Sequence, residues 1–238
     1  MPTDVTVMTA KSSRFPRALL AGDGPAVARL WAIGNLELLE RPLLALFCSM
    51  QCPGSAIVRS YDLARELRDR GVPVIGGFHS PMEKDCLDIL LRGTQPVVIC
   101  PARGIERMRV PGVWRPGIAA GRILLLSHFP ARQRRPTRAL AEQRNRMVGG
   151  LAAQFLAAHA APGSKTERLC RDLLDAGKPG YVVDAQADRH LLDAGARVFD
   201  APEMTGLWAA ESGKLLGGGG VVSGKPVPIN LNASTRHE

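Results

Sequence analysis

Long apolar runs are missing from this chain of 238 residues: none reaches the roughly 18 residues that a membrane-crossing helix requires. The opening Met1-Pro2-Thr3-Asp4 lacks the basic-then-apolar plan of a secretory leader. The expectation is a soluble, cytoplasmic protein with no membrane partner. Cysteine is sparse and unpatterned. Cys48, Cys52, Cys86, Cys100 and Cys170 are odd in number and include no C-x-x-C pair, which argues against a disulfide framework or a zinc knuckle and for a reducing compartment. Aromatic residues make up 5% of the chain, with two tyrosines and three tryptophans, a poor basis for an aromatic base-stacking platform. Neither a Ser-His-Asp set nor a carboxylate pair is legible from spacing. We therefore assign no catalytic residue, no metal and no cofactor, and lean away from an enzyme.

What the chain does have is arginine. Lys plus Arg outnumber Asp plus Glu by 31 to 22, a formal net charge of +9. Between Arg103 and Arg146 stand eleven arginines against Glu106 and Glu142, so this segment alone carries +9. Guanidinium groups suit planar, bidentate contact with phosphate, and a concentrated positive field speeds the arrival of polyanions. The plainer alternative is a solvated basic face in a chain that uses Arg in place of Lys throughout.

Along the chain, residues 1–28 have no sustained period and read as an irregular lead-in, and 201–238, with Gly217 to Gly220, as a flexible glycine-rich tail. Residues 29–200 alternate. Apolar runs at 28–33, 43–48, 72–75, 96–100, 122–127 and 180–184 predict strands. Helical spacing is expected over 56–70, 81–92, 137–153, 164–176 and near 187–194, with a helical turn at 36–39 and a short apolar segment at 154–158. Solid apolar strands alternating with capped helices predict an α/β domain with a doubly wound, mostly parallel, Rossmann-like sheet. Ligands in such sheets bind beyond the carboxyl ends of the strands. Three strand ends therefore matter: Cys48-Ser49 with the loop to Gly54, Gly76 to His79, and the loop before Gly163.

The second of these ends is the most informative. Gly76-Gly77-Phe78-His79-Ser80-Pro81-Met82-Glu83-Lys84 runs from a strand into a helix whose start carries an N-cap Ser80, a capping-box Glu83 and Pro81 at the first helical position. Glycines that clear the way to a helix N-terminus offer a place for phosphate; the alternative is an ordinary capped turn. A lysine in the first helical turn opposes the helix dipole, so Lys84 is expected to reach back toward a bound anion. Gly163-Ser164-Lys165-Thr166-Glu167 repeats the pattern. It falls short of a phosphate-binding Walker loop, which wants glycine where Ser164 stands. A metal on His79, Glu83 and Cys86 is disfavoured because His79 precedes the helix and Glu83 caps it. Cys48 at a strand end is more simply a buried structural cysteine than a nucleophile.

The order of several features is similar to one family. Phe15-Pro16, then Leu30-Trp31-Ala32-Ile33-Gly34-Asn35-Leu36-Glu37-Leu38-Leu39, then a strand ending Cys48-Ser49, and later Arg144-Asn145-Arg146 opening a helix, resemble the Rossmann core of the DprA/Smf DNA-processing proteins over about residues 15–200. The resemblance implies binding of single-stranded DNA, delivery of it to the RecA recombinase, and a homodimer. It places Arg144, Asn145 and Arg146 in the lid of the DNA pocket. Two departures stand out. The family's Gly-Ser-Arg is here Cys48-Ser49-Met50, and its Ser-Gly-x-Ala-x-Gly-Ile-Asp segment is replaced by Gly76 to Cys86. The expected DNA- or nucleotide-phosphate contacts are therefore Ser49, Gly54, Gly77, His79, Ser80, Lys84, Arg103, Arg144, Asn145, Arg146, Gly163, Ser164, Lys165 and Thr166. The alternative is a small-nucleotide sensor or nucleotide-processing enzyme, in which the Gly77–Ser80 and Gly163–Thr166 loops form one pocket and His79 contacts the base or moves a proton.

Overall fold

Continuous burial sets the architecture of the sheet. The computed structural model describes residues 4–20 and 27–199. Its strands are β1 (Thr6–Thr9), β2 (Arg29–Gly34), β3 (Leu44–Cys48), β4 (Val74–Gly76), β5 (Val97–Ile99), β6 (Ile123–Ser127), β7 (Gln154–His159), β8 (Gly180–Val182) and β9 (Arg197–Val198). Every residue of β3, β6 and β7 is buried, as expected for strands covered on both faces. The helices are α1 (Gly54–Asp69), α2 (Pro81–Leu90), α3 (Arg115–Ala119), α4 (Arg138–Leu151), α5 (Lys165–Asp175) and α6 (Arg189–Leu192).

Among the described residues one nine-stranded sheet forms in the order β1-β2-β6-β5-β4-β3-β7-β8-β9. β2 pairs antiparallel with both of its neighbours, and all remaining pairs are parallel. The run β5-β4-β3-β7-β8-β9 is the doubly wound order, and the winding reverses between β3 and β7. One apolar layer packs α1 and α2 on the sheet through Leu63, Leu67, Met82, Leu87 and Leu90. The other packs α4, α5 and α6 through Met147, Val148, Leu169, Leu173 and Leu191. The Rossmann-like α/β expectation holds.

One reading of the chain needs correction. Residues 1–28 are not wholly irregular, since Thr6–Thr9 pairs with Arg29–Ala32 and Met8, Phe15 and Leu19 are buried. A four-residue edge strand with one buried position gives too short a pattern to detect in sequence. The apolar segment at 154–158, whose carboxyl end was counted among the three strand ends, is β7, paired between β3 and β8 and extending to His159. The tail expected at 201–238 lies outside the described residues.

Candidate nucleic-acid site

The β4–α2 turn is held by a carboxylate. Ser80 Oγ accepts from Glu83 N at 3.2 Å, and Glu83 Oε2 accepts from Ser80 N at 3.2 Å and from His79 N at 2.7 Å. Glu83 Oε1 accepts from Cys48 N at 3.0 Å, tying the end of β3 to the start of α2. Glu83 is 4% exposed and Ser80 2%. The capping box predicted from sequence is present. Its consequence is not the phosphate cradle expected there: an internal carboxylate already occupies the amides of His79 and Ser80. Ser80 is thus a buried cap, and Lys84 lies exposed on the first turn of α2.

The space beside this turn is a pocket of about 520 Å³, open to solvent. Gly77, Phe78 and His79 supply one rim, Ile99, Met108 and Trp114 an apolar wall, and Arg103 and Arg144 the cations. Phe78 adopts φ 47°, a left-handed conformation that a bulky residue rarely takes, and its ring packs over Gly76. Arg144 is 2% exposed; Nη1 donates to Cys100 O at 2.9 Å, while Nε has no hydrogen-bond partner among the described residues. Desolvation lowers the pKa of its guanidinium, and the nearby Glu83 carboxylate opposes that shift. Burial, with the positive Arg144 beside it, lowers the neighbouring His128 to about 4, so that imidazole is neutral at pH 7 and its Nδ1 lies 3.1 Å from Met147 Sδ.

Arg144 and Arg146 do not open α4, as the sequence suggested. Thr137 caps the helix, its side chain accepting from Leu140 N at 3.2 Å, so both arginines sit in mid-helix, and both are buried. They also face different spaces. Asn145 and Arg146 line a second groove of about 420 Å³ between α4 and α5, together with Glu142, Lys165, Thr166 and Asp172. Lys165 is ion-paired with Glu142. Asn145 Oδ1 is buried without a hydrogen-bond partner among the described residues, and burial raises the Asp172 carboxyl against the opposing pull of Arg146.

The expected contacts are thus divided. Gly77, His79, Arg103 and Arg144 share the first pocket, whereas Asn145, Arg146, Lys165 and Thr166 share the second. The Gly77–His79 turn and the Lys165–Thr166 helix start thus line two different pockets. Ser164 caps α5 by accepting from Glu167 N at 3.0 Å, and Gly163 N donates to Glu167 Oε2 at 2.5 Å. Ser49 joins two strand ends: its Oγ accepts from Ala161 N at 2.9 Å and lies 3.3 Å from Ser164 Oγ. Gly54 opens α1 with free space where a Cβ would stand. Phe78, Met108 and Trp114 were missed. The one signal for Trp114 was an aromatic residue inside the arginine block.

Of that block, Arg107, Arg109, Arg115, Arg132, Arg134, Arg135 and Arg138 are exposed. Arg122 is structural, donating from Nη2 to Leu91 O at 2.9 Å. The basic segment is therefore mostly a solvated face that surrounds a few buried guanidinium groups. No helix among the described residues is long and apolar enough to cross a membrane.

Residues 6–201 match the family model described as DNA recombination-mediator protein A. DNA processing protein A from Streptococcus pneumoniae superposes with a TM-score of 0.67 at 18% identity, covering 82% of this chain and 70% of its own. DNA processing protein A from Helicobacter pylori, studied for its single-stranded DNA binding mode, gives a TM-score of 0.67 at 17% identity, covering 89% and 99%. At these identities the two structures establish a shared fold. No curated protein matches the chain in sequence.

Proposed function

The chain belongs to the DNA recombination-mediator protein A family, and from that premise we propose that it binds single-stranded DNA. One nucleotide enters the pocket between the β4–α2 turn and α4. Arg144 and Arg103 meet its phosphate, and Phe78, Met108 and Trp114 face its base. The observation that carries this reading is Arg144: a buried guanidinium with one N–H bonded to Cys100 O, an unpartnered Nε, and a pocket in front of it. A buried cation with unused donors is costly unless an anion completes it. Met50, standing where the family's arginine is expected, is 63% exposed and brings no charge, so the phosphate contacts fall to Arg103 and Arg144.

The exposed arginines supply the long-range attraction. The groove holding Asn145, Arg146, Lys165 and Thr166 extends the path along the other side of α4. Family membership further supports delivery of the strand to RecA, a homodimer and a cytoplasmic setting. A second reading, a free nucleotide as ligand, is supported by the same lining, which sets the cations Arg103 and Arg144 beside an apolar wall of Ile99, Met108 and Trp114.

Fluorescence anisotropy with an oligothymidylate and the matching duplex, across a salt series, tests the proposal. The parent should prefer the single strand, and Arg144→Ala and Arg103→Ala should each lower the log–log salt slope by about 0.7. A parent protein with no measurable affinity at low salt overturns the DNA reading. A nucleotide released from the denatured protein would then identify the second.

A further inference from the structure

Two guanidinium groups share the pocket beside the β4–α2 turn, and both are held by their surroundings. Arg144 projects from the middle of α4, 2% exposed, with Nη1 donating to Cys100 O at 2.9 Å. That bond uses one side of the guanidinium and leaves the edge where Nε–H and Nη2–H lie side by side; Nε has no hydrogen-bond partner among the described residues. Arg103 enters from the loop after β5. Its carbonyl accepts from Oγ of the fully buried Ser127 at 2.7 Å, and the next residue, Gly104, donates from N to Gln133 O at 2.8 Å. The Arg103 backbone is thus pinned to the end of β6 and to the loop that follows it. Its Nε is likewise buried without a partner among the described residues. Among the described residues no acidic side chain lines this pocket. The carboxylate whose field reaches Arg144 is that of Glu83, and it already accepts from the amides of Cys48, His79 and Ser80.

Two such edges, with no acid between them, match more than an internal phosphate of a strand supplies. A phosphodiester carries one negative charge and two non-bridging oxygens, which suit one guanidinium edge. A phosphomonoester carries about −1.5 to −2 at pH 7 and three terminal oxygens, so it can face both edges at once. We propose that Arg103 and Arg144 form a phosphomonoester site, which holds the phosphorylated end of a single strand in preference to a phosphate from its interior. The base of that terminal nucleotide lies against Met108 and Trp114, and the strand leaves across the exposed arginines. His79, exposed on the rim, offers a ring N–H beside the same phosphate. The inference rests on the reading of this pocket as a nucleotide site and adds which phosphate it takes. A free mononucleotide presents the same monoester, so the experiment separates the two sources.

The test uses the full chain and an oligothymidylate with its fluorophore on an internal base, prepared with no terminal phosphate, with a 5′-phosphate and with a 3′-phosphate. By anisotropy, a phosphorylated strand should bind about tenfold more tightly than the bare one. In Arg144→Ala and in Arg103→Ala that ratio should fall to about one. If Arg144→Ala fails to fold, Arg103→Ala decides, since Arg103 is half-buried on a loop. Equal affinities for the bare and phosphorylated strands would overturn the inference and leave single-stranded DNA binding standing. A tenfold ratio that survives in Arg103→Ala would place the monoester elsewhere and overturn the assignment to this pocket. Strands that fail to bind, together with a thermal shift by thymidine monophosphate and none by thymidine, would keep the monoester site and remove DNA from it. No response to any of these probes would overturn both readings.

Discussion

A methyl group on Gly77 would lie 1.5 Å from Nη1 of Arg144, with the guanidinium carbon at 1.8 Å. The arginine therefore occupies the space that any side chain at position 77 would need, and the two residues, from the β4–α2 turn and from α4, define the pocket jointly.

Gly77→Ala should displace the guanidinium. Overpacking of this kind costs about 1–3 kcal/mol, and single-stranded DNA affinity should fall at least as far as in Arg144→Ala. Thermal melting and anisotropy measure the two effects separately. Parent-like binding by Gly77→Ala would mean that the seated position of Arg144 is not what DNA recognises.

Glu83→Ala would leave the amides of Cys48, His79 and Ser80 without their acceptor. Bonds to an ionised, buried carboxylate are among the stronger ones, so the loss should be about 3 kcal/mol or more. Glu83→Gln should also destabilise, since its amide NH₂ would face a backbone donor. Denaturant unfolding of both variants checks this; a melting temperature unchanged by Glu83→Ala would show that the turn is held otherwise.

Ser80→Ala and Lys84→Ala separate a helix cap from a ligand site. Loss of the Ser80 cap should cost about 0.5–2 kcal/mol. Lys84 is exposed, and the amides of His79 and Ser80 are taken by Glu83, so Lys84→Ala should leave both the melting temperature and DNA affinity near those of the parent. A steep loss of affinity without a change in melting would restore an anion to this turn.

His128 gives the protein a pH dependence of definite sign. Burial places its folded-state pKa at about 4, below the ordinary 6.5, so the unfolded chain takes up a proton before the folded one does. The stability held by the neutral imidazole is complete above about pH 6.5 and is lost as pH falls toward about 4. Urea unfolding across that window should show a declining midpoint in the parent and a flatter profile in His128→Phe. Parallel profiles would assign the acid sensitivity to other groups.

The solid apolar runs Leu44–Cys48 and Ile123–Ser127 made the parallel sheet legible, because strands buried on both faces have nothing to alternate with. The Ser80–Glu83 box was equally legible, its spacing being fixed by the first helical turn. What Glu83 does beyond that turn was not, since its bond to Cys48 N spans 35 residues and depends on how β3 and β4 lie together. Arg144 was recognised as a residue but misplaced. Thr137, not the arginine motif, starts α4, and only the resulting helical phase turns Arg144 inward and Asn145 with Arg146 toward α5. Met108 and Trp114, the latter closing a 3-10 turn at Gly112–Trp114, reach the pocket from the β5–β6 connection, whose sequence has no sustained period to read.

The reversal of winding between β3 and β7 also bears on how the chain acquires its shape. Leu44 pairs with Gln154, residues 110 positions apart (154 − 44), whereas β3, β4, β5 and β6 follow one another in chain order. Local βα units form early and contacts of long separation form late. During synthesis, the Leu44-Ala45-Leu46-Phe47-Cys48 edge thus stands unpaired until residues 154–159 emerge, a bare apolar strand inviting association with other nascent chains. Truncation ahead of residue 154 should therefore yield aggregate, not a smaller soluble domain.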